Sequence, residues 1–331
     1  MKTAPPIVLE VTHTTSYRYR QPVTFLPHRV AFLPRAAHDI RVLQSSLEVS
    51  PHSKQHWMHD VFSNSLAVVE PLQPADELRI TARFCIEHHG VQNQELPIAA
   101  EAEYLPFNYS DERRSDLSNF LPLQYPEDAG AVSAWVANFL PARGRSRTRD
   151  LLVNLNEAIR ADFCYAARDA MGTQRPATTL QSRSGRCRDF ALLMMAAARG
   201  LRLAARFVSG YIYDAALDLD ASAGNTPLGA GLQSWDAGGT RGSGATHAWL
   251  HADLPGAGWV PFDPTNALTG GTDLIRVAYA RTPEQAAPVS GAWDGDANDF
   301  LGMNVDVQVR RVVLPAAGVI AQSQTLYDAK T

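Results

Sequence analysis

Cys187 is the residue of this sequence whose position best suits covalent chemistry. It opens an apolar run, Cys187 to Arg199, which has the spacing of a helix and stops before Gly200. At a helix start, backbone N–H groups and the positive end of the helix dipole point at the sulfur. Arg186 and Arg188 add positive charge on either side. These features favour the thiolate, which is the form of cysteine that attacks carbon.

A thiolate that attacks a carbonyl needs a base, and the base needs an orienting group. Eight of the ten histidines lie in the first 90 residues, so only His247 and His251 remain for chemistry later in the chain. Two strand-like segments, one starting near His247 and one ending at Asp263, flank turn residues around Pro255. In a hairpin centred there, Asp263 lies directly opposite His247, with Cβ atoms about 5 Å apart. The spacing therefore predicts a carboxylate within reach of the imidazole.

Metal chemistry is a competing interpretation of the histidines. His247 and His251 have the i, i+4 spacing of a helical zinc pair, but on a strand four residues span about 13 Å, too far for one ion. His52, His56 and His59 lie close together and are interpreted as a solvated polar turn. We therefore expect no metal and no other cofactor. A metalloenzyme that uses the N-terminal histidines stays open as a third hypothesis.

Other chemically suggestive residues have a structural interpretation. Packing or turn roles are expected for Cys85, Cys164, Asp253, Trp249 and Trp259. No glycine-rich phosphate loop precedes a helix, which argues against a nucleotide site.

Composition limits the class of protein. The 331 residues carry a formal net charge of −4, which gives no reason to expect nucleic acid or an anionic membrane as partner. The apolar runs are shorter than a membrane span, and the N-terminus lacks the core of a signal peptide. Three cysteines are too few for a disulfide scaffold. We expect a cytoplasmic protein; its oligomeric state is left open.

The pattern changes along the chain. Short alternating segments up to about residue 89 predict a sandwich-like β domain. Helical spacing follows at 127–140, 148–163 and 187–199, and strands are expected at 207–213 and 304–309. We predict a β-rich N-terminal domain (1–110), a linker with the first helix (111–150) and a catalytic domain (151–331). Residues 224–244 hold 7 of the 22 glycines, and we expect a mobile flap over the cleft; a solvated insertion that contacts nothing is the alternative.

Three blocks of sequence, in the same order, resemble the bacterial transglutaminase-like superfamily. They are Gly185-Arg186-Cys187-Arg188-Asp189-Phe190-Ala191, His247-Ala248-Trp249 and Trp259-Val260-Pro261-Phe262-Asp263-Pro264-Thr265. The opening Val11-Thr12-His13-Thr14-Thr15-Ser16-Tyr17 is similar to the N-terminal region of bacterial members. The long segment 224–244 and the run His28-Arg29-Val30 depart from the usual family pattern.

The resemblance implies an α+β fold, in which a papain-like or transglutaminase-like core follows the β-rich domain. The helix that bears the cysteine would pack on an antiparallel sheet that bears the histidine and the aspartate. It implies a catalytic triad of Cys187, His247 and Asp263. Tyr165, in the aromatic motif Phe163-Cys164-Tyr165, and Trp249 would line the site or assist the oxyanion.

The leading functional hypothesis is a cysteine hydrolase, a protease or amidase, that forms a thioester from a peptide or protein amide. An acyltransferase of the transglutaminase type, which hands the acyl group to an amine, uses the same triad and stays open. A non-catalytic binding module with a vestigial triad is the alternative from another class.

Overall fold

The computed structural model of the chain describes residues 6–89, 97–166, 172–215, 240–241 and 244–313. Nearly all of the glycine-rich segment 224–244 lies outside these ranges, so the flap stays a prediction. Within these ranges, every helix is too short or too polar to cross a membrane.

The described residues form eighteen strands and five α-helices. The strands are β1 (Ile7–Phe25), β2 (His28–Val30), β3 (Ile40–Ser50), β4 (Ser53–His59), β5 (Ser65–Pro71), β6 (Ala75–His88), β7 (Tyr104–Leu105), β8 (Ser146–Arg147), β9 (Cys164–Tyr165), β10 (Ser184–Gly185), β11 (Ala205–Ile212), β12 (His247–Leu254), β13 (Gly258–Asp263), β14 (Leu268–Thr269), β15 (Leu274–Ala280), β16 (Val289–Ser290), β17 (Trp293–Asp294) and β18 (Phe300–Arg311). The helices are α1 (Asp111–Asp116), α2 (Ala129–Ala137), α3 (Thr148–Asp162), α4 (Pro176–Ser182) and α5 (Cys187–Gly200). Short 3₁₀ helices lie at Ala100–Ala102, Ser118–Phe120, Pro126–Asp128, Pro283–Ala286 and Ala297–Asp299.

The N-terminal region is β-rich, as predicted. Alternating side chains of β1, such as Leu9 and Val11, are buried, which fits strands with one face on a core. One sheet has the order β17-β1-β6-β3 with β18 also paired to β1, and a second has the order β16-β2-β5-β4. The two sheets therefore account for most of the first 88 residues.

The last strands of the chain pair with the first ones. β18 runs antiparallel to β1 from the pair Leu9–Arg311 to the pair Tyr19–Phe300. β16 pairs with β2, and β17 with β1. Sheet pairing thus crosses the predicted domain boundary at residue 151. The alternating pattern at 304–309 indicates a strand but does not identify the strand with which it pairs.

The core that positions the cysteine and the histidine is a helix packed on an antiparallel sheet. The sheet has the order β14-β13-β12-β11-β15, and α5 contacts its central strands, β11 and β12. Because α5 is apolar on nearly all sides, it is buried along most of its length, with α2 and α4 also against it. This arrangement confirms the predicted α+β class and the three predicted helices.

Candidate active site

Cys187 is the first residue of α5, and its surroundings hold the helix start in place. The Asp189 carboxylate accepts the backbone N–H groups of Arg186, at 2.9 Å, and Gln174, at 2.6 Å. A Cβ atom at Gly185 would lie 3.0 Å from the Cβ of Asp189, so a glycine allows the close approach that this cap requires. Asp189 occupies the third helical position, where acidic caps are typical, so this sequence signal was available.

His247 and Asp263 are joined by a hydrogen bond at the start of β12. Nε2 of His247 lies 2.8 Å from Oδ2 of Asp263, and both side chains are fully buried. A carboxylate can only accept, so Nε2 carries the proton and Nδ1 is the nitrogen left for Cys187. Nδ1 is buried and has no hydrogen bond of ordinary geometry among the described residues.

The hairpin register differs from the predicted one by two residues. His251 pairs with Pro261 and Leu254 with Gly258, so the turn is centred on Gly256 rather than Pro255. Asp263 is therefore a diagonal and not a direct neighbour of His247. Strand side chains alternate with a period of two, so a shift by two keeps both side chains on one face. Diagonal neighbours lie about 7–8 Å apart at the backbone, which these two side chains bridge.

Two further groups hold the Asp263 carboxylate. Oδ1 accepts the backbone N–H of Thr265 at 2.9 Å, and Oδ2 accepts the side-chain amide of Asn266 at 2.9 Å. Asn266 also exchanges hydrogen bonds of 2.8 and 3.0 Å with the backbone of Arg241. Asn266 thereby ties the chain just before β12 to the carboxylate that orients His247. Sequence reasoning missed Asn266 because no local pattern indicates this contact.

The charges around His247 favour its protonated form. Burial alone lowers the pKa of this imidazole, but the Asp263 carboxylate and its hydrogen bond, with a contribution from Cys187, outweigh burial and raise it to about 10. Trp249 is buried and stacks on the imidazole, with ring centroids 5.9 Å apart. The site can therefore hold a thiolate beside an imidazolium.

Tyr165 also lies in the site. β9 pairs with β10 in parallel, which places Tyr165 opposite Gly185. Its hydroxyl lies within hydrogen-bonding reach of Cys187, and burial together with Cys187 raises the pKa of Tyr165 above its ordinary value. The hydroxyl therefore keeps its proton and can donate it to a negatively charged sulfur or oxygen.

The other two cysteines lie in different surroundings. Cys85 is half-buried on β6, and burial followed by Glu10 raises the pKa of its thiol. Cys164 is exposed on β9 rather than packed, which differs from the packing role expected for it.

The sequence suggested that Asp253 begins a turn, but the structure shows that it does not. It lies inside β12 and is buried, with Arg113 donating to both of its carboxylate oxygens at 2.9 and 2.8 Å. The turn begins two residues later because the hairpin is longer than predicted. Trp259 packs as expected, under the guanidinium of Arg206, whose Cζ lies 4.3 Å from the ring centroid.

The metal hypothesis gains no support from the described residues. His56 and His59 lie on β4, so the segment is an exposed strand and not the predicted turn. His251 lies 3.3 Å from the guanidinium of Arg206, and burial followed by Arg206 lowers its pKa well below the ordinary value. Within the described ranges, no three His, Cys, Asp or Glu side chains are grouped as metal ligands would be.

Known proteins are similar to this chain in sequence or in fold. Residues 9–87 match the family model "Bacterial transglutaminase-like N-terminal region", and residues 134–264 match "Transglutaminase-like superfamily". An uncharacterized protein of Mycobacterium tuberculosis is 27% identical over 312 residues, covering 90% of this chain and 91% of that protein. One of Mycobacterium leprae is 23% identical over 310 residues, covering 90% and 98%.

A solved structure supports the same fold. The crystal structure of a "Putative Cysteine Protease" from Cytophaga hutchinsonii covers 95% of this chain and 93% of its own, with a TM-score of 0.65 at 15% identity. At that identity, the likeness concerns the fold alone. Both family models lie where the sequence motifs and the two folded regions lie, and the chain belongs to the transglutaminase-like superfamily.

Proposed function

We propose that the protein is a cysteine hydrolase that cleaves an amide of a peptide or protein through a thioester on Cys187. The observation that carries this proposal is the buried His247, which is bonded to Asp263 through Nε2 and keeps Nδ1 for the sulfur. A base oriented by a carboxylate beside a nucleophile is the arrangement that acyl transfer requires.

In the first half of the reaction, the Cys187 thiolate attacks the carbonyl carbon and the carbonyl oxygen becomes an oxyanion. The backbone N–H of Cys187 and the hydroxyl of Tyr165 are the proposed donors to that oxygen. The C–N bond then breaks, and Nδ1 of the His247 imidazolium gives its proton to the departing amine. The product of this half is a thioester and a neutral imidazole.

In the second half, water attacks the thioester and His247 accepts the proton of the water. The C–S bond breaks, the carboxylic acid leaves, and the thiolate and imidazolium are restored. An amine in place of water would give transamidation. We favour water because it needs no second binding site. A reduced Cys187 is required, which suits the proposed cytoplasmic location.

Trapping of the acyl-enzyme tests this proposal. The protein is treated with 4-nitrophenyl acetate, and intact mass with peptide mapping locates the acetyl group. We expect acetyl on Cys187 in the wild type and in Cys164→Ala, and none in Cys187→Ala. Absence of acetyl on Cys187 in a folded wild-type protein would favour the non-catalytic binding module.

The fate of the trapped acetyl separates hydrolysis from transamidation. Decay of the acyl-enzyme is followed in buffer with and without glycine methyl ester, and the products are quantified as acetate and acetylglycine ester. Hydrolysis predicts that acetate dominates and that the amine barely changes the decay rate. A decay rate that rises in proportion to the amine, with acetylglycine ester as the main product, would make the protein an amine-transferring enzyme.

A further inference from the structure

Five arginines surround the segment that carries Tyr165 and Cys187, and we call them the arginine rim. Arg186 and Arg188 flank Cys187 in the sequence, and the positive charge of Arg186 acts to lower the pKa of Tyr165. The guanidinium of Arg183 lies over the ring of Phe163, with its Cζ 4.9 Å from the ring centroid. The remaining two members of the rim are Arg160 and Arg241.

Arg241 and Arg160 extend the rim on the side of α3. Nη1 of Arg241 donates to the carbonyl oxygens of Arg160, at 3.4 Å, and Phe163, at 3.5 Å. Burial, and then the charge of Arg160, lowers the pKa of Arg241. Cys164 and Tyr165 act to raise the same pKa and do not outweigh these two effects. Five like charges therefore lie on the end of α3, on Arg241 and on the segment that leads into Cys187.

The arginine rim has no matching carboxylates among the described residues. Arg113, Arg175 and Arg276 are each paired with an aspartate elsewhere, whereas no described carboxylate forms an ion pair with any of the five rim arginines. The described residues from 160 to 188 contain one acid, Asp162, against five arginines, four of which belong to the rim.

The carboxylates nearest to Cys187 along α5 and in the triad are already engaged. Asp189 accepts two backbone N–H groups, and Asp263 accepts from His247, Thr265 and Asn266.

Two buried nitrogens without hydrogen-bond partners support the view that the arginine rim binds an anion. The Nε atoms of Arg188 and Arg241 are buried and have no hydrogen-bond partner among the described residues. Unpaired buried donors and crowded like charges both cost stability, and both costs fall when an anion binds. A chain with a net charge of −4 has concentrated positive charge at its candidate active site.

We propose that the arginine rim selects acidic substrates, namely peptides with Asp or Glu residues next to the amide that Cys187 attacks. This inference rests on the proposed function and names its substrate class. Guanidinium groups bind carboxylates through two parallel hydrogen bonds, and a field of one sign also speeds the approach of opposite charge. A cleft of about 180 Å³ beside Arg160 also contains Asp273, so we expect the acidic residues to lie along Arg183, Arg186 and Arg188 instead.

Peptide binding tests the rim separately from catalysis. Two fluorescein-labelled peptides of equal length, one with four Glu residues and one with four Gln residues, are titrated with the Cys187→Ala protein at low salt. We expect about tenfold tighter binding of the Glu peptide, and a difference that shrinks towards 1 M salt, where the Debye length is about 3 Å. Equal affinities at low salt, or no binding of either peptide, would overturn the proposal.

Charge variants identify the residues responsible. In the Cys187→Ala background, Arg183→Gln with Arg188→Gln should remove most of the preference for the Glu peptide, and the same positions changed to Lys should keep most of it. Arg149→Gln, at the other end of α3, is the matched control and should leave the preference intact. A preference that survives the Gln variants in full would also overturn the proposal.

Acetylation of the wild type by 4-nitrophenyl acetate is measured in parallel. If Cys187 is acetylated but the protein does not prefer the Glu peptide, the proposal for the arginine rim is wrong and the proposal of a hydrolase stands. If the protein prefers the Glu peptide but Cys187 is not acetylated, the rim binds acidic peptides and the proposal of a hydrolase is wrong.

Discussion

Asp263→Asn is the substitution that most directly tests the site, because it changes one buried oxygen into an NH₂ group. Oδ2 of Asp263 accepts from His247 and Asn266, and Oδ1 accepts from the backbone of Thr265. An amide has one acceptor oxygen in place of two. Whichever way it turns, its NH₂ group faces a donor, either the amide of Asn266 or the N–H of Thr265. We expect a loss of about 1–3 kcal/mol in the free energy of unfolding for this buried mismatch.

The larger effect is on the charge of His247. With the carboxylate gone, burial is the largest remaining influence and favours the neutral imidazole, so the pKa of His247 falls from about 10. We expect a neutral imidazole at pH 7, and Cys187 then loses its cationic neighbour. A neutral imidazole no longer favours a negative charge on the neighbouring sulfur, so alkylation of Cys187 at pH 7 should slow by about tenfold or more. Amide hydrolysis also needs the proton on His247 and should fall by about 10³- to 10⁴-fold.

The assay is the second-order rate of Cys187 alkylation by iodoacetamide between pH 5 and 10, read from the mass of the Cys187 peptide. Asp253→Asn is the matched control, because Asp253 is a buried carboxylate on the same strand as His247 but is paired with Arg113. It should lose stability and keep the wild-type rate profile. A folded Asp263→Asn protein with the wild-type profile would refute the reasoning.

Three more predictions concern the reactivity and stability of the site. Peptide mapping after brief iodoacetamide treatment near neutral pH should find Cys187 labelled well before Cys85 and also before the exposed Cys164; equal labelling would contradict the thiolate assignment. Between about pH 6.5 and 10 the unfolded chain has released the proton of His247, whereas the folded site keeps it. Urea titrations should therefore show the wild type losing up to about 1.4 kcal/mol per pH unit relative to His247→Gln, and parallel curves would argue against the raised pKa. Asn266→Ala should cost about 1–3 kcal/mol in the same titrations and slow alkylation at pH 7, and a rate equal to that of the wild type would show that Asn266 does not position the carboxylate.

Local patterns predicted the elements of the site because each element carries its own signal. The helix expected at 187–199 is observed as Cys187–Gly200, since its apolar run and the following glycine are both local features. The strands that begin at His247 and end at Asp263 also follow from local alternation and turn residues. The contact between the two side chains needed only one further step, the closure of a hairpin.

Contacts between distant segments could not be predicted in this way. The Arg113–Asp253 pair joins residues 140 positions apart, and Asn266 meets Arg241 across a segment of 25 residues. Neither contact has a period or a spacing that marks it, because each depends on how separate elements pack. The pairing of β18 with β1 belongs to the same class, since a strand pattern carries no information about its partner.

The N-terminal region supports the strand that lies beside His247. Tyr211 on β11 directly follows Gly210, the residue that pairs with His247. Nδ1 of His13 lies 2.8 Å from the Tyr211 hydroxyl, which in turn donates to the carbonyl oxygen of Phe32 at 3.2 Å. Burial lowers the pKa of His13 to about 3, so its imidazole is neutral and this buried chain of hydrogen bonds is complete without a charge. The backbone beside His247 is therefore held from both regions of the molecule, and the position of His247 depends on residues more than 150 positions before Cys187.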